Sequence, residues 1–164
     1  MFDATHRVIG GNATDQALMK FLGEDSYLKM KEDPSLEIFA SQKFNSSNKF
    51  SQAQIGGLTY YKGAPERLLQ KADRYMGTDG QLHPLDLSCI NQRIDTLAKK
   101  AMRVIAFGYS EEPLQENCIS GNLVLIGLAA IRDDVRPEAR IAIHDVQKAG
   151  IQVVMITGDR LGTA

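Results

Sequence analysis

The longest strongly apolar run of the chain is the nine residues 123–131, and Gly127 interrupts even that. A membrane-spanning helix needs about 20 consecutive apolar residues. The run is under half of that length and reads as a buried strand. The chain must therefore satisfy its backbone in a water-soluble fold with an internal core. Of its 164 residues, 43% are hydrophobic and 24% charged, the balance of a globular domain that can bury a core without disulfides or metal. No signal-peptide pattern is read within these residues.

The remaining patterning alternates helix and strand. Residues 12–22 predict a short helix, with Asn12 or Thr14 as cap, an apolar stripe of Ala17, Leu18, Phe21 and Leu22, and Gly23 as stop. Residues 24–35 are polar, contain Pro34, and read as a loop or frayed helix end. Residues 36–44 read as a strand carrying Leu36, Ile38 and Phe44 towards a core. Residues 50–55 and 58–62 flank Gly56-Gly57, a two-residue hairpin turn.

Pro65 opens a helix with Leu68, Leu69 and Ala72 on one face. Residues 77–85, with Asp79-Gly80 and Pro84, read as a turn region. Leu87, Ile90, Ile94, Leu97 and Ala101 recur at helical spacing. Residues 102–109 and 121–131 predict strands. Pro137 starts a helix that Gly150 ends, and the apolar run 151–156 reads as a parallel strand covered on both faces. A boundary is expected near residues 130–135.

Charge and side-chain chemistry narrow the function classes. The formal net charge is -1, which gives no whole-chain case for nucleic acid, although a local basic pocket remains open. Cys89 and Cys118 stand in no metal-binding spacing and read as reduced thiols. His6, His83 and His144 are scattered, so a metal site has no support, and His144 reads as a helix-surface residue.

Four stretches carry candidate chemistry. Thr157-Gly158-Asp159 follows a buried strand, where backbone N–H groups can approach a phosphate and a carboxylate can help place Mg²⁺. It can equally be a plain turn into a helix. Lys62-Gly63-Ala64-Pro65-Glu66 ends a hairpin strand. Gly63 permits close backbone approach, and Lys62 either points into a pocket or is simply solvated. In Phe44-Asn45-Ser46-Ser47-Asn48-Lys49, Phe44 is either a core residue or a platform for a flat base, and Lys49 could meet phosphates. Arg103 shares a strand face with Ile105 and Phe107, so it sits at a pocket rim or snorkels.

Six stretches, in order, resemble the P-type ATPase family: GNATDQAL at 11–18, FNSSNKFS at 44–51, KGAPE at 62–66, MRVIAFGY at 102–109, RDDVRPEA at 132–139 and MITGDRLGTA at 155–164. The fullest and most specific are KGAPE and MITGDxxxTA. The resemblance covers nearly the whole chain. GNATDQAL together with KGAPE is closer to type II, calcium-pump-like members than to heavy-metal pumps.

The resemblance implies an α+β fold, a twisted and mainly antiparallel sheet with flanking helices. A helix-strand fragment of an α/β phosphorylation domain follows it. It divides the chain into a nucleotide-binding domain, 1–131, and a hinge with a truncated phosphorylation-domain fragment, 132–164. By position it makes Asp15 an acidic residue near an adenine, Phe44 the adenine-stacking ring, and Lys49 and Lys62 the pocket lysines. Gly63 lies against the base, Arg103 contacts the nucleotide phosphates, and Asp133 begins the hinge. Thr157, Gly158 and Asp159 hold the terminal phosphate and its Mg²⁺ region.

The implied ligand is ATP with Mg²⁺, and the implied partners are the phosphorylation, actuator and transmembrane domains of a parent membrane pump. The chain itself is then expected to be a soluble cytoplasmic piece. The sequence departs from the family at Asp15, one methylene shorter than the usual glutamate, at the hinge, DDVR rather than DPPR, and at Ser46, where some relatives carry a cation. DKTGT, with the aspartate that accepts the phosphoryl group, does not occur, so no catalytic residue is assigned. Two other readings stand beside this one: a haloacid-dehalogenase-like phosphatase, for which no nucleophilic aspartate motif is found, and an interaction domain that binds no nucleotide.

Overall fold

Gly56 and Gly57 adopt φ of +54° and +83°, the left-handed turn that the paired glycines predict. They join β2 (Phe50–Ile55) to β3 (Leu58–Gly63) as an antiparallel hairpin. The fold is that of a computed structural model describing residues 1–3, 5–132 and 137–156. The further strands are β1 (Ile38–Gln42), β4 (Ala72–Met76), β5 (Leu82–Pro84), β6 (Met102–Ser110) and β7 (Leu123–Arg132). They form one seven-stranded sheet in the order β1-β2-β3-β6-β7-β4-β5. Every pairing is antiparallel except β4 with β7, so the architecture is the expected α+β type.

The helices are α1 (Ala13–Leu22), α2 (Glu24–Glu32), α3 (Pro65–Leu68), α4 (Leu87–Ala98) and α5 (Pro137–Lys148). Asn12 caps α1, its Oδ1 accepting from the Asp15 N–H at 2.9 Å, and Gly23 ends it at φ +79°. Asp86 caps α4, accepting from the Cys89 N–H at 3.1 Å.

One sheet face carries the core. Phe50, Tyr61, Ala106 and Leu125 are at most 3% exposed, and Leu68 and Leu69 around α3 and Ile94 of α4 pack against them. Fully burying side chains of this size contributes about 1.5–3 kcal/mol each.

The structure corrects several expectations. Residues 24–32 form a helix, because Glu24 and Asp25 in its first turn and Lys29 and Lys31 in its last complement the helix dipole without any apolar stripe. The helix at Pro65 ends after one turn, and Ala72 opens β4 instead, its strand character coming from parallel pairing with distant β7. β5 forms within the stretch read as a turn. Ile38 is 59% exposed because β1 is an edge strand, and Phe21 of the α1 stripe is 91% exposed. Phe44 lies beyond β1 and outside the core. Residues 151–156 are exposed and form no strand, because no strand among the described residues pairs with them. Asp133 lies outside the described residues.

Candidate functional site

Strand register gathers the candidate residues at one end of the sheet. Lys62 on β3 lies opposite Ser51 on β2 and Phe107 on β6. Directly opposed residues share a face, and alternation along β6 places Ile105 and Arg103 on that face as well. Gly63, opposite Phe50 and Ala106, turns to the core side. A cavity of about 950 Å³ opens where β3 ends and β6 begins. Its size reaches the upper range of small-molecule sites.

Asp15, Phe44, Lys49, Lys62, Gly63 and Arg103 all line this cavity. They come from the first turn of α1, the segment after β1, the β2–β3 hairpin and β6. The Lys62 Nζ donates to Asp15 Oδ1 at 2.5 Å. The Lys49 Nζ meets Glu66 Oε1 at 3.4 Å, and the Arg103 Nη1 donates to Thr14 Oγ1 at 3.4 Å. Phe44 is 55% exposed, so its ring is available to a ligand rather than spent on the core.

Lys49 adopts φ +60°, a left-handed conformation that a lysine rarely takes. Its N–H donates to Asn45 O at 2.8 Å, and its carbonyl accepts from the Ala64 N–H at 2.9 Å, so the surrounding chain holds it there. Gly63 is also required by packing. A Cβ at Gly63 would lie 2.6 Å from both Lys49 O and Phe50 Cβ, so the missing side chain is what lets the turn pack against β3.

The lining has two characters. Among the described residues, the lining sets Lys43, Lys49, Lys62 and Arg103 against the carboxylates of Asp15 and Glu66, an excess of two positive charges in a chain whose net charge is -1. Ile94, Ala98 and Val104 add an apolar wall. Such a cavity suits a ligand with a flat apolar part and a polyanionic part. Lys43 was not among the residues singled out from sequence. Its place directly before Phe44 was the available signal. Thr157, Gly158 and Asp159 lie outside the described residues.

Fold and cavity together define an α+β domain whose cavity has a cationic wall and an exposed aromatic ring. A family model described as P-type ATPase, cytoplasmic domain N, matches residues 3–138, and the chain belongs to that family. It is 32% identical over 171 residues to a Mycobacterium bovis protein named "Probable cation-transporting ATPase F", covering 99% of this chain and 19% of that protein. It is 31% identical over 175 residues to Calcium-transporting ATPase 10, plasma membrane-type, of Oryza sativa subsp. japonica, covering 99% of this chain and 17% of that protein. To the human Plasma membrane calcium-transporting ATPase 3 it is 34% identical over 173 residues, 94% of this chain and 14% of that protein. The chain thus spans less than a fifth of the length of these relatives. No helix among the described residues is long and apolar enough to cross a membrane.

Proposed function

We propose that the chain binds ATP as the nucleotide-holding domain of a cation-transporting P-type pump, with calcium as the transported ion. The observation that carries this reading is the convergence of Phe44, Lys49, Lys62, Arg103 and Asp15, from separate stretches of sequence, on one cavity. The residues fit the ligand. An exposed ring suits an adenine face, and the four cations that the described residues bring to the lining suit a triphosphate.

Phe44 stacks on the base, Asp15 stands near it, and Gly63 lies beside it. Lys43, Lys49, Lys62 and Arg103 neutralise the phosphates. ATP supplies the transferable phosphoryl group, and Mg²⁺ accompanies its phosphates. The residues of this chain orient the nucleotide and screen its charge, which is most of what phosphoryl transfer asks of a protein. The sequence contains no DKTGT, so the acceptor aspartate is supplied by another segment of the parent.

On the same reading residues 1–131 are the nucleotide-binding domain. Residues 132–164 are a hinge and part of the phosphorylation domain, with Thr157-Gly158-Asp159 meeting the terminal phosphate. The domain then works in the cytoplasm, beside the actuator and transmembrane parts of the pump.

Isothermal titration of the chain with ATP and ADP tests the reading. Saturable heat at concentrations up to about 1 mM, with no sustained phosphate release, is the expected result. Absence of heat with either nucleotide overturns it. Steady hydrolysis of a generic phosphate ester points instead to an autonomous phosphatase.

A further inference from the structure

Residues 43–47 carry three cavity-lining side chains, Lys43, Phe44 and Ser46, yet none of the five residues is buried. Apolar packing therefore does not fix where the Phe44 ring stands. The two ends of the segment instead meet on a single atom. Asn117 Oδ1 accepts from the Gln42 Nε2 at 2.6 Å and from the Asn48 Nδ2 at 2.6 Å. Gln42 closes β1 just before Lys43, and Asn48 immediately precedes Lys49.

The clamp is itself anchored. The Asn117 N–H donates to Gln42 Oε1 at 2.9 Å, and the Gln52 Nε2 donates to the same oxygen at 2.7 Å. Gln52 is only 3% exposed. Either side of Asn117, the loop joining β6 to β7 is rooted on β3. The Thr59 Oγ1 donates to Glu112 O at 2.7 Å, and the Tyr61 hydroxyl donates to Ser120 Oγ at 3.0 Å. The strand that presents Lys62 thus also anchors the loop that holds the Phe44 segment. Asn117 takes φ +60°, which asparagine tolerates better than most residues.

We propose that Asn117 is a positioning residue for the nucleotide cavity. By pinning Gln42 and Asn48 to one oxygen it sets the place of Phe44 and the left-handed turn at Lys49. The inference rests on the nucleotide-binding reading. Because Asn117 serves both side chains as an acceptor, a carboxylate can replace it. Asn117→Asp keeps the acceptor, whereas Asn117→Gly keeps the backbone angle and loses the clamp.

The test compares wild type, Asn117→Gly and Asn117→Asp by ATP titration, thermal melting and amide hydrogen exchange. Asn117→Gly is expected to weaken ATP binding by about 2- to 10-fold, the size of a lost hydrogen bond between neutral groups. Exchange at the Asn48 and Lys49 amides is expected to rise, and Asn117→Asp to return both towards wild type. A purely structural role would lower the melting temperature without moving affinity or these two amides, and that result overturns the proposal. If Asn117→Gly binds ATP as wild type does while Phe44→Ala does not, the clamp is refuted and the nucleotide reading stands. If wild type itself binds no adenine nucleotide, the nucleotide reading falls and the cavity role falls with it.

Discussion

The Nζ of Lys62 lies 2.5 Å from Asp15 Oδ1, tying the last residues of β3 to the first turn of α1. Both side chains are about one-third exposed, so the pair contributes under about 1 kcal/mol to stability. Lys62→Ala should therefore leave the melting temperature almost unchanged. It should lower ATP affinity by about tenfold, as expected when one charge-assisted contact to phosphate is lost. Titration calorimetry on a variant shown by melting to be folded measures both. Affinity within twofold of wild type would remove Lys62 from the site.

Phe44 and Phe50 stand six residues apart in opposite environments, one 55% exposed on the cavity and the other fully buried under the sheet. Phe50→Ala is expected to cost about 3–5 kcal/mol of stability through the cavity it leaves. Phe44→Ala should cost within about 0.5 kcal/mol. It should instead weaken both ATP and adenosine by about 1–3 kcal/mol, the range for lost base stacking. Chemical denaturation and ligand titration on the pair separate the two roles. A large stability loss at Phe44 would contradict the exposed placement of its ring.

Gly63 has backbone neighbours that cannot give way easily. Its added Cβ would meet Lys49 O and Phe50 Cβ at 2.6 Å and Phe50 Cα at 2.8 Å. Gly63→Ala should destabilise the chain by about 1–3 kcal/mol through overpacking. It should also disturb Lys49, so ATP affinity should fall in the same variant. Denaturant midpoints check the first effect, and a neutral outcome would show that the turn at Lys49 moves freely.

His6 lies against Glu24, whose hydrogen bond and negative charge raise the imidazole pKa above its ordinary 6.5. A raised folded-state pKa means that the protonated ring is favoured on folding. The added stability is fully present below pH 6.5 and is lost as pH rises through the raised value. The melting difference between wild type and His6→Gln should therefore shrink as pH climbs from about 6 to 9. A difference that stays constant over that range would exclude the ion pair.

What the sequence disclosed was chiefly what is local. The Gly56-Gly57 turn, the Asn12 cap and the stripe of Ile90 and Ile94 each depend on neighbours within a few residues. β4 was missed because Ala72–Met76 pairs on one side with Leu123–Leu125, some fifty residues away, and on the other with β5, which lies in the stretch read as a turn. α2 was missed because a polar helix without an apolar stripe leaves no period to read. At the cavity, Phe44, Lys49, Lys62 and Arg103 were legible through the order of their motifs. Lys43 was not, since its place before Phe44 does not by itself tell which way the lysine faces. The bond from Asn117 to Gln42 joins side chains 75 residues apart and could be seen only in three dimensions.

Helix α1 contributes Asp15 and Thr14 to the cavity but has no buried residue of its own. It is fastened to the sheet by polar side-chain tips, at Lys62 and Arg103, rather than by interlocked apolar groups. Lifting such a helix exposes little oily surface and leaves the Phe50–Tyr61 packing intact. This flank of the hollow is consequently joined to the sheet by attractions that dissolved salt weakens, whereas the oily packing beneath is indifferent to it.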